Sequence, residues 1–122
     1  MINKLLAGRR VLVVEDELLV LMMIEDILAD LGCESVVAAA TVEKALAAID
    51  TQVIDLAMLD MNLNGDTNPA VAEALAARGI PFVYSTGNGG PNRRDGYRDR
   101  PILKKPFKYE ELAEILTQLL SR

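Results

Sequence analysis

Four apolar runs in this chain each close on residues able to do chemistry. Leu56-Ala57-Met58-Leu59 closes on Asp60 and a polar loop, Met61-Asn62-Leu63-Asn64-Gly65-Asp66. Val11-Leu12-Val13-Val14 closes on Glu15-Asp16, Phe82-Val83-Tyr84-Ser85 on Thr86-Gly87, and Ile102-Leu103 on Lys104-Lys105-Pro106. If the runs are strands of one parallel sheet, their ends lie along one edge. Three or four carboxylates, a hydroxyl and an ammonium then meet at one spot. Such a set suits transfer of a phosphoryl group onto Asp60 with help from a divalent metal.

Carboxylates held close together repel, and a hard cation such as Mg²⁺ relieves this through oxygen ligands while keeping several waters. Asp16, Asp60 and the Asn62 backbone carbonyl fit that need, with Glu15 acting through water; Mn²⁺ would serve in place of Mg²⁺. An aspartate oxygen can attack phosphorus to give an aspartyl phosphate, and the protein then mainly positions groups and balances charge. Lys105, immediately before Pro106, is better placed than Lys104 to pair with a phosphoryl oxygen, since neighbours in a strand point oppositely. The Thr86 hydroxyl can bond another oxygen, and Gly87 leaves its approach clear. Asn88 and the Asn62 side chain are candidates for gating water. Asp66 and Glu17 read as solvated surface acids.

The elements that must position these residues alternate. Strands are expected at about Arg10–Val14, Glu34–Ala38, Leu56–Leu59, Phe82–Ser85 and Ile102–Lys104. The unbroken apolar run of the first suggests burial on both faces, as in a parallel sheet. A helix over about Leu18–Leu31 carries the stripe Val20, Ile24, Ile27, Leu28 and Leu31, and Gly32 is placed to end it. Thr41 reads as the N-cap of a second helix, whose inner face is Val42, Ala45, Leu46 and Ile49. Pro69 suits a first turn; Val71, Ala74 and Leu75 face inward from that third helix, and Gly79 stops it. A last helix over about Tyr109–Leu120 carries Leu112, Ile115, Leu116, Leu119 and Leu120, with Glu110 and Glu111 complementing its dipole. Between strands four and five, residues 87–96 hold four glycines and a proline, so any helix there is expected to be short or frayed. Arg93, Arg94, Arg98 and Arg100 form a basic segment, read as solvated. Five βα repeats define an α/β domain with helices on both faces and ligands outside the carboxyl ends of the strands.

Composition narrows the field. The chain has 122 residues, formal net charge −5, no histidine and one cysteine, Cys33. That length is one domain with a real core, about 9–121. The acidity argues against nucleic-acid binding, which relies on phosphate neutralisation by Lys and Arg. Without histidine there is no Ser-His-Asp catalysis, no HExxH zinc site and no phosphohistidine on this chain. A lone cysteine, read as a small buried hydrophobe, forms no intrachain disulfide and points to a reducing cytoplasm. No apolar run approaches the ~20 residues of a membrane span, and the N-terminus is too short in apolar residues for a signal peptide.

The runs Val-Leu-Val-Val-Glu-Asp-Glu (11–17), Ala-Met-Leu-Asp-Met-Asn-Leu (57–63), Phe-Val-Tyr-Ser-Thr-Gly (82–87) and Leu-Lys-Lys-Pro-Phe (103–107) together resemble the receiver domain of two-component response regulators, over nearly the whole chain. The resemblance implies a flavodoxin-like, doubly wound five-stranded parallel sheet of order 2-1-3-4-5. Asp60 then looks like the phosphoacceptor, Glu15 and Asp16 like the acidic pair, Thr86 like the switch hydroxyl and Lys105 like the phosphoryl-contacting lysine. It implies a stand-alone receiver without an output domain, phosphorylated by a partner histidine kinase or phosphotransfer protein and signalling to a downstream protein. No enzyme activity is expected beyond self-phosphorylation and self-dephosphorylation at Asp60. The chain departs from many receivers in lacking a proline after Met61, and in carrying Ile102 where an aromatic stands three residues before the lysine. The 82–87 run and the glycines after it are similar to a subgroup of alphaproteobacterial single-domain receivers. Alternatives are a phosphate sink or relay intermediate and a degenerate receiver acting as a binding module. A haloacid-dehalogenase-like phosphohydrolase would want aspartate where Asn62 stands, and no Ser/Thr-rich phosphate loop follows strand one as in a flavodoxin.

Overall fold

A computed structural model describes residues 5–61, 69–87, 101–105 and 107–120. The elements are β1 (Arg10–Val14), α1 (Leu18–Asp30), β2 (Ser35–Ala39), α2 (Val42–Thr51), β3 (Leu56–Asp60), α3 (Pro69–Ala77), β4 (Phe82–Thr86), β5 (Ile102–Lys104) and α4 (Tyr109–Leu120). The five strands form one parallel sheet in the order β2-β1-β3-β4-β5. The flavodoxin-like expectation is met. β3 and β4 are buried along their whole length, and β1 from its second residue. That is why they read as unbroken apolar runs rather than alternating ones.

Strand parity divides the core. Leu12, Val14, Ala57, Leu59, Phe82 and Tyr84 face α2 and α3, where Ala45, Ile49, Val71 and Leu75 meet them. Val11, Val13, Leu56, Met58, Val83 and Leu103 face α1 and α4, against Ile24, Leu28, Leu112 and Leu116. Phe82 and Tyr84 add an edge-to-face ring contact at 5.5 Å on the α2–α3 side.

The helix ends follow from local chemistry. The Gly32 N–H donates to the Ala29 carbonyl and the Cys33 N–H to that of Leu28, with Gly32 at φ 88°. This is the paired capping arrangement that a left-handed residue after a helix permits. Gly79 (φ 67°) and Ile80 repeat it on Ala76 and Leu75. The Thr41 side chain accepts from the Lys44 N–H at 3.1 Å, and Glu111 reaches back to the Lys108 N–H at 2.7 Å; both satisfy donors that a helix start leaves orphaned.

Three expectations shift. β2 starts and ends one residue later than the sequence suggests, and β3 and β4 each run one residue further, because Asp60 pairs with Ser85 and Thr86 with Lys104. The core also starts earlier: Leu6 is fully buried on the α1–α4 side, and its N–H donates to the Leu31 carbonyl at 2.9 Å. Cys33 is half-buried, with Sγ 3.0 Å from the Ser35 carbonyl. Asn62, Asp66, Asn88, the four arginines 93, 94, 98 and 100, Pro106 and the expected element between β4 and β5 lie outside the described residues. Among the described residues no helix is long and apolar enough to cross a membrane.

Candidate functional site

The carboxyl ends of β1, β3 and β5 bring four charged groups together. Glu15 follows β1 on the parity of Val11 and Val13, Asp60 ends β3 on that of Leu56 and Met58, and Lys105 follows β5 on that of Leu103. All three therefore belong to the α1–α4 side. Lys104 has the opposite parity and is exposed. Lys105 Nζ lies 2.8 Å from Glu15 Oε1 and 3.3 Å from Asp60 Oδ2, with its own side chain only 10% exposed. Asp16, one residue on, is exposed, and ligand atoms of Glu15, Asp16 and Asp60 all fall within 4.8 Å of one another.

Thr86 ends β4 on the other parity. It is buried, and its carbonyl accepts the Lys105 N–H at 2.7 Å. Main chain thus ties the hydroxyl-bearing residue to the ammonium-bearing one. Ser85, which sequence reasoning passed over, is buried beside Asp60 as its register partner, and its carbonyl accepts the Met61 N–H at 2.8 Å. Ile102 sits opposite Tyr84, packed against the α2–α3 cluster.

Electrostatics set the character of the cluster. Burial raises the Glu15 carboxyl to about 7, a rise held back by Lys105 and the Glu17 N–H and reinforced by Asp60. Burial alone would lower Lys105, but Glu15 and Asp60 outweigh it and hold the ammonium above its ordinary range. Glu15 Oε1 is buried, and the Lys105 ammonium 2.8 Å away is what satisfies it. Among the described residues one ammonium faces three carboxylates, which leaves unmet negative charge, partly favoured by the N-terminus of α1 just beyond. A hard cation fits there, because carboxylate oxygens of Glu15, Asp16 and Asp60 are clustered at one edge.

Two further features were illegible beforehand. Glu17 stands at the N-cap of α1 but its side chain makes no capping bond; Oε1 instead approaches Lys105 Nζ at 3.5 Å. The other is an apolar rim. Leu18, Leu19 and Met22 are 67%, 81% and 51% exposed on α1. Leu19 also lines a groove of about 400 Å³ with Glu17, Val20, Met23, Gly87 and Lys105. At Gly87 an added Cβ would meet nothing within 4 Å among the described residues.

The fold and cluster define a class, and comparison with known proteins agrees. The response regulator receiver domain family matches residues 11–117; the chain belongs to that family. It is similar to SdrG from Sphingomonas melonis Fr1, whose solution structure superposes with a TM-score of 0.82 at 46% identity, covering 92% of this chain and 96% of that one. The BeF3-activated conformation of SdrG from Pseudomonas melonis Fr1 gives 0.79 at 44% identity over 98% and 99%. The receiver domain of the sensor histidine kinase PA1611 from Pseudomonas aeruginosa PAO1, crystallised with a magnesium ion in its active site cleft, gives 0.77 at 27% identity over 95% and 100%. No curated protein sequence matches the chain.

Proposed function

We propose that Asp60 is a phosphoacceptor, charged by a phosphohistidine on a partner kinase or phosphotransfer protein, and that the chain signals through protein contacts. The observation that carries this is the convergence of Glu15, Asp16, Asp60 and Lys105 at the ends of three strands. An Asp60 oxygen attacks phosphorus, the P–N bond of the donor breaks, and its electron pair returns to the imidazole, which leaves. Lys105, already within ion-pair distance of Asp60, balances the charge on the incoming group. The Thr86 hydroxyl takes a second phosphoryl oxygen. Asp16, Asp60 and the Asn62 carbonyl, with Glu15 through water, would hold Mg²⁺ or Mn²⁺, which supplies charge neutralisation for the transfer. The magnesium in the PA1611 receiver supports this assignment. No activity on an external substrate is assigned; gain and loss of the group at Asp60 are the chemistry.

The chain has no histidine, so the phosphohistidine of the donor lies outside these 122 residues. The exposed Leu19, on the groove that Lys105 also lines, supports a donor that docks through apolar contact. The test is intact mass after incubation with acetyl phosphate and Mg²⁺, beside Asp60→Asn. One added phosphoryl group, absent from the variant and without metal, is expected. No adduct, together with no binding of beryllofluoride, would leave a receiver fold acting only as a binding module.

A further inference from the structure

We infer that Glu17 is a positioning residue that holds Lys105 from outside the cluster and, by its charge, selects among phosphoryl donors. This rests on Asp60 being the phosphoacceptor.

Three observations carry it. Glu17 occupies a position where a short polar side chain would normally cap the helix, yet it makes no capping bond. Its Oε1 points to Lys105 Nζ at 3.5 Å, the longest of three carboxylate contacts to that ammonium, after Glu15 at 2.8 Å and Asp60 at 3.3 Å. Its N–H donates to Glu15 Oε2 at 3.1 Å, so its backbone and side chain grip both members of the buried ion pair.

An ammonium has three hydrogens, and the three carboxylates around it among the described residues match them. A phosphoryl oxygen that engages Lys105 must displace one of them. Glu15 and the Asp60 side chain are buried, whereas the Glu17 side chain is 64% exposed, so breaking its contact leaves no stranded charge. Glu17 also borders the groove that contains Lys105 and Gly87, so a donor approaching there meets its negative charge. A donor with more charge is opposed more strongly.

The test uses acetyl phosphate, a dianion at neutral pH, and phosphoramidate, a monoanion. In each, an Asp60 oxygen forms a bond to phosphorus; acetate leaves with the P–O pair in the first, and ammonia with the P–N pair in the second. Glu17→Gln keeps length and the carbonyl acceptor and removes only charge. Phosphorylation should speed up with both donors. The preference for acetyl phosphate over phosphoramidate should rise about threefold to tenfold, the Coulomb effect of one unit charge several Å away in a wet setting. Added salt should narrow the gap between wild type and variant. A merely structural role would move both donors equally. An unchanged donor ratio, with wild type still phosphorylated, overturns the inference alone. If neither protein takes phosphoryl from either donor nor binds beryllofluoride, the phosphoacceptor reading falls and the inference with it.

Discussion

Glu15 is the residue whose energetics are most exposed to experiment. Its carboxyl stands at about 7 in the fold against 4.5 ordinarily, chiefly through burial. Between those values the native state keeps a proton that the unfolded chain releases. Stability of the metal-free protein should therefore fall as pH rises from about 4.5 to 7 and level off above, by a few kcal/mol, on the order of 3. Lys105 acts elsewhere: its raised value holds stability that is lost only as pH climbs through the alkaline range. Urea melts in EDTA at pH 5 and 7.5 check this. Glu15→Gln should flatten the dependence, and parallel curves for the two proteins would refute it. Glu15, Asp60 and Lys105 were legible because each ends an apolar run, and strand ends in a parallel sheet converge. Glu17 was not. An acid at a helix start reads as solvated, and its contact with Lys105 spans 88 positions of sequence, a distance that periodicity does not reach.

At the scale of elements, caps and stripes transferred well because they are local. Gly32, Thr41 and Gly79 each terminate or start a helix through bonds within a few residues. The segment before β1 did not transfer, since a few residues carry no period. Yet Leu6 is fully buried and tied to the end of α1. Leu6→Ala should cost about 2–4 kcal/mol, the usual penalty for emptying a core leucine site, measured by denaturant melts. A loss under 0.5 kcal/mol would mean that the segment lies on the core without being part of it. The residues just before β1 are thus an anchored lead-in, packed into the core at Leu6.

For the molecule as a whole, alternation of strands and helices gave the class, while strand order came with the family resemblance; composition alone does not say which helices share a face. The outward rim of α1 was illegible because exposure depends on what the other elements leave uncovered. Leu19 is 81% exposed, so Leu19→Ala should leave stability within about 0.5 kcal/mol. It should slow transfer from a phosphohistidine protein by about tenfold or more, the effect of losing one interface anchor, and leave acetyl phosphate labelling unchanged. Equal slowing with both donors would place Leu19 in the chemistry instead of the docking. The shared parity of Glu15, Asp60 and Lys105 has one more consequence. A slip of any of their strands by one residue exchanges its two faces, turning that charged group toward the apolar side packed by α2 and α3 and stranding its partners. An unpaired buried charge is among the costliest errors a fold can make. The charged cluster thus acts as a proofreader of strand register, rejecting misaligned sheets that apolar β1, β3 and β4 would otherwise tolerate.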